Sequence, residues 1–240
     1  MNEMLEGFLR ALQLIFSLNP EILNISALSL RVSGLAVILG SLVGIPTGTA
    51  LGLMQFIGKR SLIRISNVLM RTTVNAFMGL PPVFVGLVIY LLLSTSGPFG
   101  PLHLLYTPTA MLIVQLILTI PVVTGITISA VDGVGEEVRD RALSLGATSW
   151  QLASTIVREA RGGILTAIVA SFGAAISEVG GIMIVGGNIR WFTRALTTAI
   201  MYETALGEFE MALALGIILL MLAFIVNLSL AFLQLRGVRR

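Results

Sequence analysis

Cysteine is absent from this 240-residue chain, and histidine occurs once, at His103. The chain therefore has no thiolate metal site, no thiol catalysis and no disulfide framework, and one histidine is too few for a histidine-based metal centre. Charge is also scarce: 11% of the residues are Asp, Glu, Lys or Arg, against about a quarter in an ordinary soluble domain. With 56% hydrophobic residues and a mean hydropathy of +0.98, the composition excludes a soluble enzyme and a disordered chain.

Long uncharged runs take the place of those features. No ionisable residue lies between Arg31 and Lys59, and His103 alone interrupts the run from residue 72 to 131. A helix needs about 20 apolar residues to cross a bilayer, and the alternation typical of barrel strands is absent. We therefore predict five membrane-spanning helices, over residues 25–56, 67–93, 107–131, 162–185 and 210–235.

The basic residues predict the orientation of these spans. Most of the 15 lysines and arginines fall in residues 59–71, 132–161 and 236–240, which five spans would bring to one side of the membrane. By the positive-inside rule that side is the cytoplasm, so the N-terminus is expected outside and the C-terminus inside a prokaryotic plasma membrane. The net charge of +3 has the same explanation and requires no nucleic acid.

Residues 1–24 precede the first span. Met4, Phe8, Leu12 and Ile15 share one face at helical spacing, and the apolar run is too short to span. We predict an interfacial helix that stops at Asn19-Pro20. A sixth, short span is the alternative, and it would leave the N-terminus inside.

The segment of residues 132–161 is too long to be a turn. Gly146 interrupts its helical pattern, and the following ATSW predicts a turn with Ser149 as the N-cap of a second helix. Such a helix–glycine–helix unit can insert into a groove on a partner. A solvated amphipathic loop is the alternative.

This segment, DRALSLGATSWQLASTIVREARGGIL, resembles the EAA loop of ABC-importer permeases. Gly146 corresponds to the family's glycine, Ala142 to its last alanine, and Asp140 to its glutamate. Arg141 and Arg158 depart from the pattern, where alanine and proline are expected. The stretches MGLPPVFVGLVIYLLLSTSGPFG and FGAAISEVGGIMIVGGNIRWFTRALTT are similar to molybdate and tungstate permeases, so the resemblance covers about residues 5–235.

The resemblance implies a homodimeric pore, two cytoplasmic ATPases that bind the EAA segments, and an external oxyanion-binding protein. It assigns the ATPase contact to residues of that segment, namely Asp140, Arg141, Ala142, Gly146, Ala147 and Trp150. The chain contains no GxxxxGK[ST] phosphate loop, so ATP and magnesium are expected on the partner ATPase and no cofactor on this chain.

Glu178 stands alone in a stretch that is uncharged from residue 162 to 189. A carboxylate facing lipid costs several kcal/mol, so this one should face protein or water. We predict that it anchors a gate, paired with a helix or an arginine, because it would repel a dianionic substrate. A purely structural hydrogen bond to a neighbouring helix, or a protonated acid, is the alternative.

A translocation pathway is predicted around this residue. Pro81-Pro82 breaks the second span, and Gly186-Gly187-Asn188 ends a helix where backbone N–H groups can turn towards an anion. Arg190 is assigned, with Arg194, to docking of the binding protein rather than to substrate. The candidate pathway and gate residues are Pro81, Pro82, Ser177, Glu178, Gly187, Asn188, Thr193, Arg194, Thr197 and Thr198.

We therefore predict a single all-α polytopic membrane domain over residues 1–240, with residues 25–235 as its core, of the type I ABC-importer (MetI-like) permease fold. Its expected function is the pore of an ATP-driven oxyanion importer, most specifically for tungstate, that works by alternating access. Molybdate or sulfate remains an alternative substrate. A stand-alone secondary anion transporter is another class, for which only Glu178 could couple protons or sodium. An intramembrane enzyme is a third, but the spans contain no His, no Cys and no paired carboxylates.

Overall fold

The computed structural model describes residues 2–17, 19–57 and 61–238, and every regular element in this part of the chain is helical. Lys59, Arg60, Arg239 and Arg240, which contribute to the predicted cytoplasmic charge, lie outside the described residues. The α-helices are α1 (Asn2–Phe16), α2 (Pro20–Ile57), α3 (Ser61–Met78), α4 (Pro82–Leu93), α5 (Pro108–Asp132), α6 (Glu136–Ser144), α7 (Ser149–Ile176), α8 (Gly180–Gly186), α9 (Leu196–Leu206) and α10 (Phe209–Val238), with a short 3-10 helix at Gly100–Leu102.

The helices match the predicted number of spans. In the described ranges, α2, α5, α7 and α10 are each long and apolar enough to cross a membrane, and α3 with α4 makes a fifth if the two count as one interrupted span. The interruption falls between Met78 and Pro82, where the double proline predicts it. The helices α2 and α5 continue through Pro46 and Pro121.

The fourth span differs from the prediction. Residues 162–185 were expected to form one helix, but α7 begins at Ser149 and ends at Ile176, and α8 is a separate seven-residue helix. Hydropathy locates only the apolar part of a helix, so the charged first turns of α7 were predicted as a separate helix of the 132–161 segment, whereas they continue into the span without a break. The chain breaks at Ser177–Val179, immediately before the pair Gly180-Gly181, and Glu178 therefore lies in the break.

The N-terminal segment forms the predicted amphipathic helix. With 15 residues, α1 is not among the helices long enough to span, and it packs on α10: a Cβ added to Gly7 would come within 2.8 Å of Leu213 Cβ, and Arg10 donates to Glu210 at 2.9 Å. The helix stops before Asn19-Pro20, as expected, but residues 20–24 belong to α2. Its position on a membrane surface stays a prediction.

The chain divides into two compact units, and the expectation of a single domain stays a prediction. The first unit contains the chain up to Ala36, Pro81–Ile117 and Phe172–Leu228. Its buried cluster joins the start of α2 to α9 and α10. The cluster consists of Ile22, Ile25, Leu196, Ala199, Leu215 and Ile218.

The second unit contains Val37–Leu80, Leu118–Ser171 and the end of α10 from Ser229. Its main feature is a stripe of four glycines, four residues apart, along one side of α2. A Cβ on any of them would come within 3 Å of α5, so the two helix backbones pack directly on each other. The glycines are Gly40, Gly44, Gly48 and Gly52.

Candidate functional site

The connection from α6 to α7, in the second unit, begins with a glycine-terminated helix end. Gly146 adopts φ +79°, the left-handed region that favours glycine. Its N–H donates to Leu143 O at 3.0 Å, and the next N–H, of Ala147, donates to Ala142 O at 3.1 Å. These two bonds form a Schellman motif, which satisfies the last carbonyls of α6 and reverses the chain sharply.

The first turn of α7 is closed by reciprocal capping. The Thr148 N–H donates to Gln151 Oε1 at 2.8 Å, and the Gln151 N–H donates to Thr148 Oγ1 at 3.4 Å. The N-cap is therefore Thr148, and the expectation of Ser149 is wrong by one residue. Thr148 has a glutamine three positions later, which can bond back to it, whereas Ser149 is followed at that distance by Leu152. We call residues 145–148, fixed at both ends by these caps, the coupling turn.

The side chains around the coupling turn point in two directions. Leu145 is 88% exposed and Trp150 is 82% exposed, whereas Ala142 packs against a buried cluster. That cluster joins the ends of α5 and α7 and consists of Val131, Leu152, Ile156 and Ala160. The turn is thus held by its two caps and by Ala142, while Leu145 and Trp150 are exposed.

The predicted contact residues fit this arrangement unevenly. Asp140 and Arg141 are exposed on α6, and Arg141 forms an ion pair with Glu137 at 3.2 Å. Ala147 is half-buried, and Gly146 provides the positive φ that ends α6. Sequence reasoning missed Leu145, although a leucine beside the terminal glycine of a short helix has no helix face on which to bury itself. The role of all six residues as an ATPase contact stays a prediction.

All ten predicted pathway residues lie in the first unit, and the structure brings several of them together at α8. Pro81 is extended and caps α4, which starts at Pro82. The first turn of α4 lies directly on α8: a Cβ added to Gly181 would come within 2.8 Å of Pro82 O, and one added to Gly86 within 2.7 Å of Gly181 Cα. Such close approach leaves no room for a side chain at either glycine.

Glu178 caps α8 with its carboxylate. Its Oε1 accepts from the Gly181 N–H at 2.8 Å, and its Oε2 accepts from the Ile182 N–H at 3.1 Å. A negative charge is stabilised at a helix N-terminus, and bonds from N–H groups to an ionised acceptor are the stronger kind. The pairing with a helix agrees with both interpretations of this residue, so its function as a gate stays a prediction.

Three of the predicted pathway threonines hydrogen-bond to backbone groups of this chain. Thr193 Oγ1 donates to Gly186 O and accepts from the Ile189 N–H at 2.9 Å. Thr197 Oγ1 donates to Glu178 O at 2.8 Å, and Thr198 Oγ1 accepts from the Ala195 N–H at 2.9 Å. All three side chains are buried. Their predicted contact with substrate is untested, but in this conformation their hydroxyls fix the loop.

The chain reverses at Gly187, which has φ +69° and lies against Tyr106, where an added Cβ would come within 2.8 Å of the ring. Asn188 follows at φ +50° and is buried, which asparagine tolerates better than most residues. Ser177, at the end of α7, is exposed and donates to Gly173 O at 2.8 Å. The predicted helix end at Gly186–Asn188 is confirmed, and a contact of its N–H groups with an anion stays a prediction.

The two arginines of this loop are held by Glu21, which the sequence analysis did not single out. Arg190 Nε and Nη2 donate to the two carboxylate oxygens at 2.8 and 2.6 Å, and Arg194 Nη1 lies 3.7 Å from Oε1. Arg194 also stacks over Tyr202 at 4.8 Å. The bond to Glu21 raises the pKa of Arg190 above its usual range. A single acid at the start of an apolar helix is the signal that could have identified Glu21.

In the described ranges, no group of three His, Cys, Asp or Glu side chains could hold a metal ion. The arrangement instead presents hydrogen-bonded helix ends and close backbone contacts, which orient helices.

Curated proteins similar to this chain are permeases. A probable anion ABC transporter permease protein of Haloferax volcanii is 46% identical over 211 residues, which covers 86% of this chain and 88% of that protein. The tungstate uptake system permease protein TupB of Peptoclostridium acidaminophilum is 40% identical over 95% of this chain and 97% of that protein. The TupB protein of Campylobacter jejuni is 32% identical over 92% and 90%.

Solved structures share the fold. The inward-facing MetNI methionine ABC transporter matches with a TM-score of 0.70 at 14% identity, over 90% of this chain and 96% of that chain. The match supports the predicted all-helical permease fold. The sequence pattern of the binding-protein-dependent transport system inner membrane components covers residues 40–238. The chain therefore belongs to this family, the permease subunits of ABC transporters.

Proposed function

We propose that this chain forms the pore of an ATP-driven importer for an oxyanion, and that the oxyanion is tungstate. The assignment of tungstate rests on one observation: the chain is 40% and 32% identical to two tungstate uptake permeases over more than nine-tenths of its length. A molybdenum permease is 29% identical over 58% of the chain, and a sulfate permease is 27% identical over 71%. The greater similarity favours tungstate.

The assembly is two copies of this chain, two cytoplasmic ATPases and an external oxyanion-binding protein. The coupling turn supports the ATPase partner, because Leu145 and Trp150 expose large apolar surfaces on a rigid turn. ATP and magnesium bind the ATPases, and this chain binds no cofactor. The basic segments 59–71, 132–161 and 236–240 orient the C-terminus towards the cytoplasm of a prokaryotic plasma membrane, with the N-terminus outside.

The mechanism is alternating access, in which the permease performs no covalent chemistry. Closure of the ATPases displaces the coupling turn, which moves as a solid unit because both its ends are capped. Ala142 transfers the displacement to the cluster around Val131 and Ile156. In the first unit, Glu178 and Thr197 hold α8 and α9 in register while the pathway opens.

Uptake into liposomes tests the proposal. The chain, its ATPase and the binding protein are reconstituted, and labelled tungstate is expected to accumulate only with ATP and binding protein. Molybdate and sulfate serve as competitors, and stronger inhibition by either than by unlabelled tungstate would reassign the substrate. Uphill uptake by the chain alone would instead establish a secondary transporter.

Crosslinking tests the ATPase contact separately. Because the chain has no cysteine, Ala147→Cys carries a single reactive thiol, which lies in the coupling turn. This variant is expected to capture the ATPase. The matched control is Ser96→Cys, an exposed position in the connection after α4, which should not capture the ATPase. Equal capture by both variants, or by neither, contradicts the proposed contact.

A further inference from the structure

Arg71 on α3 makes the most extensive polar contact described in the second unit. Its Nη1 donates to Asp132 Oδ2 at 2.5 Å, and its Nη2 donates to Asp132 Oδ1 at 3.0 Å. The same Nη2 donates to Leu51 O at 2.8 Å, and Nε donates to Asn67 Oδ1 at 3.1 Å. One guanidinium thus joins α3 to α5 through a bidentate ion pair, and to α2 through a backbone carbonyl. We call these contacts the Arg71 clamp.

The clamp joins the two ends of the longest run with few ionisable groups. No Asp, Glu, Lys or Arg lies between Arg71 and Asp132, and the chain's one histidine, His103, falls in this run. Both side chains are largely buried, at 21% and 30% exposed. An arginine fork fits a carboxylate in a fixed geometry that lysine cannot reproduce, so the pair fixes an orientation rather than only a distance.

The helix α3 has little else to hold it. Of its side chains that the structure describes, Asn67 is the buried one, with Arg71 and Val74 half-buried, and the rest are exposed. At its end Met78 packs on Gly125. Among the described side chains of α3, Arg71 thus makes the polar contacts that reach α2 and α5.

The other side of the clamp is the base of the coupling turn. Asp132 is the last residue of α5, and three residues separate it from Glu136, where α6 begins. Its neighbour Val131 is fully buried in the cluster that holds Ala142, and a Cβ on Gly52 would come within 2.6 Å of Val131. This end of α2, α5, α6 and the start of α7 thus packs as one block, to which α3 is attached through Arg71.

We propose that Arg71 and Asp132 are positioning residues that transmit displacement of the coupling turn to α3. The helix α3 leads, after two residues, into Pro81-Pro82, the predicted break of the pathway. Displacement of the α5–α6 junction moves the Asp132 carboxylate, and the bidentate pair carries α3 with it. This inference rests on the proposed function for its consequence, which is the coupling of ATP hydrolysis to uptake.

The first test measures position in the permease alone. Spin labels are attached to Ser66→Cys on α3 and Ser144→Cys on α6, both exposed, in a chain otherwise free of cysteine and diluted with unlabelled copies. Arg71→Gln and Asp132→Asn are expected to widen the label–label distance distribution at least about twofold. Arg10→Gln is the matched control, because it breaks a different ion pair of an arginine with a carboxylate, that of Arg10 with Glu210. It should leave the width of the distance distribution unchanged. Unchanged widths in both clamp variants overturn the inference.

The second test measures coupling in the reconstituted complex. Arg71→Gln and Asp132→Asn are expected to retain ATPase binding and hydrolysis within about twofold but to lose about tenfold in tungstate transported per ATP. Arg71→Lys, which keeps the charge without the fork, should fall between them and the wild type. An unchanged ratio, or loss of ATPase binding in parallel with transport, overturns the coupling role. If the wild-type complex shows no ATP-dependent uptake, the proposed function fails, and the label distances still decide the clamp.

Discussion

The coupling turn and the loop of residues 187–195 are both short connections that contain a glycine with positive φ, but they are held in different ways. In the coupling turn every fixing bond spans at most five residues, from Ala142 to Ala147 and from Thr148 to Gln151. The loop is also fixed from a distance: Arg190 is bonded to Glu21, 169 residues away.

This difference indicates what each connection can do. A turn whose geometry depends on its own caps keeps its shape while the surrounding helices move, so it suits a contact that transmits force. The loop of residues 187–195 is bonded to α2 through Glu21 and to the end of α8 through Thr193, so it changes shape when α2 and α8 move apart. The shape of the loop therefore depends on the arrangement of the helices in its unit, whereas the shape of the coupling turn does not.

The largest expected effect sharpens the comparison at the exposed side chains. Trp150→Ala should weaken ATPase binding about 30-fold, since a buried tryptophan at an interface commonly contributes about 2 kcal/mol or more. The thermal stability of the isolated permease should not change, because the side chain is exposed. Affinity is measured by titration of the ATPase onto immobilised permease.

Trp191→Ala is the control for that measurement. Trp191 is an exposed tryptophan in the other connection, beside Arg190, and its removal should leave ATPase affinity unchanged. An equal loss in both variants would mean that neither connection is the specific contact.

A smaller effect is expected on the stability of the loop. Thr193→Val removes the hydroxyl that bridges Gly186 O and the Ile189 N–H. Leaving buried polar groups without a partner costs about 1–3 kcal/mol, which corresponds to a fall of about 5 °C in melting temperature for a chain of this size. Tryptophan fluorescence on heating measures it, and Trp191 lies two residues from the change.

Thr204→Val provides the matched substitution. Thr204 is exposed and its hydroxyl bonds to Ile200 O within its own helix, so its loss should move the melting temperature by less than about 1 °C. If the two variants melted alike, the loop would not depend on its internal bridge.

The same contrast explains how far the sequence predicted the structure. The coupling turn was predicted nearly to the residue, because Gly146, Thr148 and Gln151 act through neighbours along the chain. The spans and the break at Pro81-Pro82 follow from local composition as well. The partners of Glu21 and Arg71 could not be predicted, because pairs that are 169 and 61 residues apart depend on how helices pack. The fourth span was misplaced because hydropathy does not show that the helix predicted from Ser149 continues into the apolar stretch, nor that it ends at Ile176.

The smallest expected effect tests whether the coupling turn depends on its own backbone. Gly146→Ala places a Cβ at φ +79°, which costs about 1 kcal/mol. Nothing lies within 4 Å of the added Cβ, so the cost comes from backbone strain alone. The free turn relieves that strain by leaving its binding conformation, which the ATPase must then restore, so ATPase affinity should fall about fivefold. Gly207→Ala imposes the same strain at φ +80° after α9, also with nothing within 4 Å, and should leave affinity unchanged. Because both variants lose similar stability, only a difference in affinity distinguishes the turn from any other strained glycine, and equal affinities would contradict a locally built coupling contact.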